Sequence, residues 1–188
     1  MENKTASILN RFVAFIIDWY LSSLAAAIPV IILQSVQAKD FVLINRLDGL
    51  SAGNAWIACI LAITIYILYY CVLPVKTWGQ LQAGQTPGRK LMKIRLIKTD
   101  DSSPVFRDLL LRDFVGVLLL QGYITSASLY IISLIQISTG SYIVPYVQVF
   151  YYATVLISLI LYMISKKKYL LHDLLSKTVI VIYKPDSR

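Results

Sequence analysis

The sequence predicts an all-α membrane protein, a bundle of four transmembrane helices with a small cytoplasmic element of amphipathic helix and strand. Three observations carry that expectation. Apolar residues make up 57% of the 188-residue chain and charged residues 15%. The apolar residues gather into four long runs, with nearly all the charge confined to the segments between them. The basic residues also sit on alternate connections. A hydrocarbon core about 30 Å thick needs roughly 20 helical residues to cross it, and each run meets that length. Strands of a membrane barrel would instead alternate over about ten residues each, a pattern that does not recur here. The whole of 1–188 reads as one membrane domain.

Residues 1–10 form a polar lead-in to the first run, Phe12–Leu33, whose only ionisable group is Asp18. Ala25-Ala26-Ala27 resembles a signal-peptide cleavage site, but the run is long, carries that aspartate and continues past the alanines. An uncleaved crossing is expected. Pro29 falls near its outer end, where a kink is tolerable. Residues 34–54 make an outer loop with balanced charges (Lys39, Asp40, Arg46, Asp48) and a Gly49, Gly53, Asn54 turn cluster. The second run, 55–75, has Trp56 at its outer entry and Tyr69, Tyr70 and Trp78 at its inner exit, as interfacial aromatic belts do. Cys59 and Cys71 lie within it, about 18 Å apart along a helix axis. They are too far apart to bridge and are expected to be reduced packing residues.

The inner loop, 76–113, holds Gly79, Gly84, Pro87 and Gly88 near its start. Leu91, Ile94 and Leu96 then alternate with Lys93, Arg95 and Lys98, which suggests a short strand. Asp100 to Pro104 reads as a turn or helix start, and an amphipathic helix from Val105 leads into the third run, 114–137. The fourth run, 146–164, returns to Lys166-Lys167-Lys168 and the tail, 165–188. That tail contains a helical piece around 169–175 and a β-branched strand, 178–183. Arg11-Phe12-Val13 and Arg112-Asp113-Phe114-Val115 each open a pair of crossings, so a tandem repeat is one reading; ordinary helix-end chemistry is the other. The repeat expects strands 91–97 and 178–183 to pair.

The net charge of +8 comes from 18 basic and 10 acidic residues. Of the 18, only Lys39 and Arg46 fall on the outer connections, leaving 16 on the inner face. The positive-inside rule therefore places both termini in the cytoplasm of a cell membrane. The expected partners of this basic face are anionic lipid headgroups, and nucleic acid is set aside.

Asp18 lies seven residues after Arg11, on nearly the same helical face and about 10 Å deeper. A carboxylate there is costly unless paired, hydrated or protonated. It reads either as a cation or proton site, or as a buried ion pair or hydrogen bond that fixes helix packing, with Arg11 or Arg112 as partner. His172-Asp173 is the next pair. One histidine cannot build a protein-only zinc site, so no metal is expected, and Asp173 reads as pairing an inner arginine or capping a turn. His172 and Asp173 could also join an ion pathway. No serine sits in a nucleophile-elbow context, so no enzyme and no cofactor are expected. Gly84-Gln85-Thr86-Pro87-Gly88-Arg89-Lys90 lacks the spacing of a phosphate loop. It reads as a turn aiming Arg89 and Lys90 at lipid headgroups or an anion, with Thr86 and Gly88 shaping it.

Taken together, these landmarks resemble the RDD family of bacterial membrane proteins. They are Arg11, Ala14 and Asp18 in the first run, then Thr86-Pro87-Gly88-Arg89-Lys90-Leu91, Arg112 before a later run, and Leu171-His172-Asp173-Leu174-Leu175 with Thr178-Val179. They cover about residues 8–182. Arg89 stands where the family pattern has lysine, and the turn near Asp101 lacks the glycine common there. The resemblance implies Arg11, Asp18 and Asp173 as a signature trio. It also implies transport of ligands not identified for most members, with cation–proton exchange for some. The expected function is therefore transport past Asp18, in a homodimer or larger assembly because four helices make a thin wall. The rival is a regulatory or scaffold subunit whose basic inner face docks a membrane protein partner or anionic lipid.

Overall fold

The computed structural model describes residues 4–122, 125–165 and 168–183. Lys166, Lys167, Lys184 and Arg188, counted above among the inner basic residues, lie outside them. The chain is mostly helical, in the order α1 (Ile8–Ala38), α2 (Ala52–Ile67), α3 (Pro87–Leu91), β1 (Ile94–Lys98), α4 (Phe106–Leu109), α5 (Ser126–Thr139), α6 (Val144–Ile164), α7 (Leu171–Ser176) and β2 (Thr178–Ile182). Two of these helices are extended by other windings. α2 runs on through a wide i→i+5 turn, Leu68–Val72, and a tight 3₁₀ turn, Leu73–Val75. α4 runs on as a wide helix through Leu110–Leu120.

α1 starts four residues before the first apolar run because Ser7 caps it, accepting from the Asn10 N–H. Lys39, in the left-handed region at φ 55°, ends it. Its buried stripe is Arg11, Ala14, Asp18, Ser22, Ala26 and Val30, while Phe12, Ile16, Leu24, Ile28 and Ile32 point outward. Small and polar groups inside with large apolar groups outside is the reverse of a water-soluble helix. It is the pattern of helices that pack on each other within lipid. Ser51 caps α2 in the same way, and its buried residues Ala55, Ala58, Cys59 and Ala62 let α1 approach closely.

α1, α2 with its continuation to Val75, and α6 are long and apolar enough to cross a membrane. The third run departs from expectation. A single continuous helix over 114–137 is not formed. The wide helix stops at Leu120, and α5 starts afresh at Ser126 with only 14 residues. Thr125 caps α5, accepting from the Ser128 N–H at 3.2 Å, and the Thr154 hydroxyl of α6 takes up the Leu120 carbonyl. Gly122 lies against the Tyr151 ring, where an added Cβ would come within 2.6 Å. These tertiary contacts satisfy a break that hydropathy does not register.

The two strands pair antiparallel, from Ile94 opposite Ile182 to Lys98 opposite Thr178, as the repeat reading expected of them. Thr5 bridges Val181, so the residues before α1 add to the far side of β2. Asp101 takes the positive φ of 65° in the turn after β1, where a glycine was missed. One apolar cluster (Tyr66, Tyr70, Ile94, Leu96, Leu109, Leu118) lies at the sheet end of the bundle, and a second (Val30, Leu47, Leu50, Ala58, Tyr130, Leu134) at the other end. Cys59 and Cys71 are buried and free.

Candidate functional site

Asp18 organises the first half of the site. Its side chain is buried and accepts from three donors: the Tyr69 hydroxyl at 2.8 Å, the Gly88 N–H at 2.8 Å, and the Thr86 hydroxyl. Two of these donors belong to the start of α3, where Thr86 is the N-cap and Pro87 follows in the first helical position. The Thr86 hydroxyl also accepts from the Arg89 N–H at 3.4 Å. Asp18 thus acts as a second cap, docking α3 sideways onto α1. Gly88 makes the approach possible: a Cβ there would stand 2.4 Å from the Ala14 carbonyl oxygen and 2.8 Å from the Asp18 carboxyl carbon. Two landmarks far apart in sequence, at 14–18 and 86–88, are therefore the two sides of one contact.

The expected ion pair of Asp18 with Arg11 or Arg112 is not formed, because both arginines go to Asp173. Arg112 Nη1 lies 2.8 Å from one carboxylate oxygen and Arg11 Nη1 lies 3.4 Å from the other. That second oxygen also accepts from the Leu170 N–H at 3.1 Å, closing the start of α7. Asp173 thus does both things its sequence suggested: it pairs inner arginines and caps a turn. Arg11 further donates to the carbonyls of Lys168 and Ile180, tying α1 to the tail and to β2. Burial pushes the Asp173 carboxyl up, but Arg112 and Arg11 outweigh it and hold the group below the usual carboxylate range.

His172 faces Gln121 at the helix break, with Nδ1 2.9 Å from the amide oxygen, and its Nε2 lies 3.7 Å from Asp173. Burial and the nearby Arg112 push its pKa down to about 3, so the ring is neutral at ordinary pH. Arg89 is the second correction. It does not reach outward to headgroups but turns inward, with Nη2 3.7 Å from the Asp113 carboxylate. Lys90 does face outward, bonding the Gln80 side chain at 2.7 Å. Asp113, unremarked as a site residue from sequence, stands 3.7 Å from Arg112 Nε as well. Its signal was present: it is the last charge before an uncharged run, beside an arginine already singled out.

The result is a buried chain, Arg11–Asp173–Arg112–Asp113–Arg89, with Asp18 beside it. Three guanidiniums and three carboxylates balance. Such a network is costly to bury unless its atoms are satisfied, and here some are not. Among the described residues, Arg89 Nη1, Asp113 Oδ2, Arg11 Nε and Arg112 Nε have no hydrogen-bond partner. All four residues line one cavity of about 470 Å³, together with Asp18, His172, and Gln121 and Thr125 from either side of the break.

The sequence model of a family described as the RDD family matches residues 5–177. No curated protein matches the chain. No solved structure matches it either.

Proposed function

Since the chain belongs to the RDD family, we propose that it is a multi-pass carrier of a cell membrane, holding its ligand in the cavity between α1, the broken third segment and α6. The observation that carries this reading is that the break opens onto the cavity: Gln121 and Thr125 line it beside buried charges. Irregular backbone at membrane depth is tolerated where it lines a cavity, and discontinuous helices commonly form the binding sites of carriers. In this reading the wide helix and α5 together make the fourth passage. The 16-to-2 division of basic residues supports a cytoplasmic position for the sheet and both termini. Asp18 holds α3 in place, and the open polar atoms of Arg89 and Asp113 meet the ligand.

A carrier must expose its chamber to each face in turn, which a scaffold need not do. Val117 lines the cavity. In a chain carrying Cys59→Ala and Cys71→Ala, a Val117→Cys thiol is expected to react with a charged, membrane-impermeant thiol reagent applied from either side. Reaction from one side only, or from neither, would overturn the carrier reading and favour the scaffold.

A further inference from the structure

The rim and the floor of the cavity differ in chemistry. The floor holds the arginines and Asp113. The rim is apolar: Phe12 and Phe15 from α1 and Val155 and Leu159 from α6 line it. Phe12 and Leu159 are both about half exposed, at 56% and 51%. α6 takes its main contacts from α5, the wide helix and α7, with α1 across the cavity from it. The slot between α1 and α6 therefore has apolar lips and a charged base.

The unpartnered atoms say what the base can bind. Arg89 Nη1, Arg11 Nε and Arg112 Nε are donors, and Asp113 Oδ2 is an acceptor. The side chains of Arg11, Arg89, Arg112 and Asp113 are all more than nine-tenths buried. A simple cation would satisfy the acceptor and be repelled by the guanidiniums. A simple anion would leave Asp113 facing a like charge. A phosphate that also carries a hydroxyl answers both, because its oxygens accept from the guanidiniums and its hydroxyl donates to Asp113.

We propose that the cavity binds a phosphate-headed, hydroxyl-bearing amphiphile, entering sideways from the membrane between α1 and α6. Its head lies on Arg89 and Asp113 and its chain lies against Phe12, Phe15, Val155 and Leu159. This rests on the carrier reading of the same cavity and names its ligand class. A neutral His172 beside the floor leaves the charge recognition to the arginines and Asp113.

The test uses the purified full chain in detergent micelles, with native mass spectrometry to read retained lipid and a thermal melt in parallel. Phosphatidylglycerol supplies both the phosphate and the hydroxyls; phosphatidylcholine supplies a phosphate whose headgroup has no hydroxyl. Selective retention of phosphatidylglycerol is expected. Arg89→Lys keeps the charge beside Asp113 but removes the free Nη1 donor, and is expected to weaken retention about tenfold. Val155→Trp fills the slot without touching the network, and is expected to weaken it at least as much with an unchanged melt. Equal retention of the two lipids, or undiminished retention in a folded Val155→Trp chain, overturns the proposal. Stabilisation by inorganic phosphate alone overturns the amphiphile but leaves a small-anion chamber standing. Loss of all binding, together with one-sided labelling of Val117→Cys, sinks both readings.

Discussion

At the scale of single residues, burial decides what each charge can do. Asp173 sits between two guanidiniums and a helix N–H, so its carboxylate remains charged although it is removed from water. His172, its neighbour in sequence, has Gln121 as its hydrogen-bond partner through Nδ1, with Nε2 3.7 Å from the Asp173 carboxylate. Its folded pKa of about 3 lies below the ordinary 6.5. As pH falls through 6.5 the unfolded chain takes up a proton that the folded chain refuses, so stability is lost between those two values. The depressed Asp173 carboxyl adds a loss of the same sign at more acid pH. Melting temperature in detergent is expected to fall steadily from pH 7 toward pH 4. His172→Gln keeps a polar partner for Gln121 and is expected to flatten that slope. An equal slope in the two chains would show that His172 does not titrate this way.

Arg11, Asp18 and Asp173 stood out from sequence as a trio, and each is buried in the site. An arginine partner for Asp173 was legible, but the partners of Asp18 were not. Arg11 and Asp18 share a face of one helix, which made a pair between them attractive, but a spacing along one helix cannot reveal what the rest of the chain brings to each end. Asp113 and Gln121 escaped notice because a single charge or amide beside an apolar run has many ordinary explanations.

At the scale of elements, α3 is five residues long and could not hold itself together in water. It exists because Asp18 caps it from another helix and because Gly88 lets the backbones touch. Gly88→Ala should therefore act far beyond its intrinsic helix preference, which favours alanine. The added methyl would meet the Ala14 carbonyl at 2.4 Å. Overpacking of this kind costs about 1–3 kcal/mol. A thermal melt is expected to show that loss, and a melt equal to or above that of the parent chain would refute the docking contact.

The wide windings are also tertiary products. Helical i→i+5 windings are rare and are frequently found at functional sites. Both occur next to the cavity: one leads out of α2 after Tyr66, and the other carries Arg112, Asp113 and Val117. The strands were foreseen from alternation and β-branching, and their pairing on the repeat reading, although β1 starts at Ile94 and Leu91 ends α3 instead. Their register was set only when β1 and β2 met.

At the scale of the whole molecule, outward-facing apolar side chains surround an interior in which small, polar and charged groups sit beside two apolar clusters. This arrangement is stable only in lipid, where the exposed faces lose nothing and the buried charges are shielded from the bilayer. The orientation proposed above rests on basic residues whose count is biased 16 to 2. Ile44 lies in the loop after α1, and Arg95 lies in β1. In a chain without its two native cysteines, Ile44→Cys is expected to react with an impermeant reagent in intact cells and Arg95→Cys only after lysis. The reverse pattern would invert the assignment of faces.

What the sequence determined by itself is the environment: a membrane-type chain of the RDD family, with its long apolar helices, its basic connections and the residues too costly to bury without purpose. Hydrophobic length and charge placement are properties of a chain read in order, so they survive without coordinates. What only the tertiary structure decided is who meets whom. Asp18 caps α3 instead of pairing with an arginine, Asp173 takes both arginines, Arg89 turns inward, and the third apolar run breaks at the cavity. Hydropathy averages over a window and cannot see that Thr125, Thr154 and Gly122 together make a break cheaper than a continuous helix.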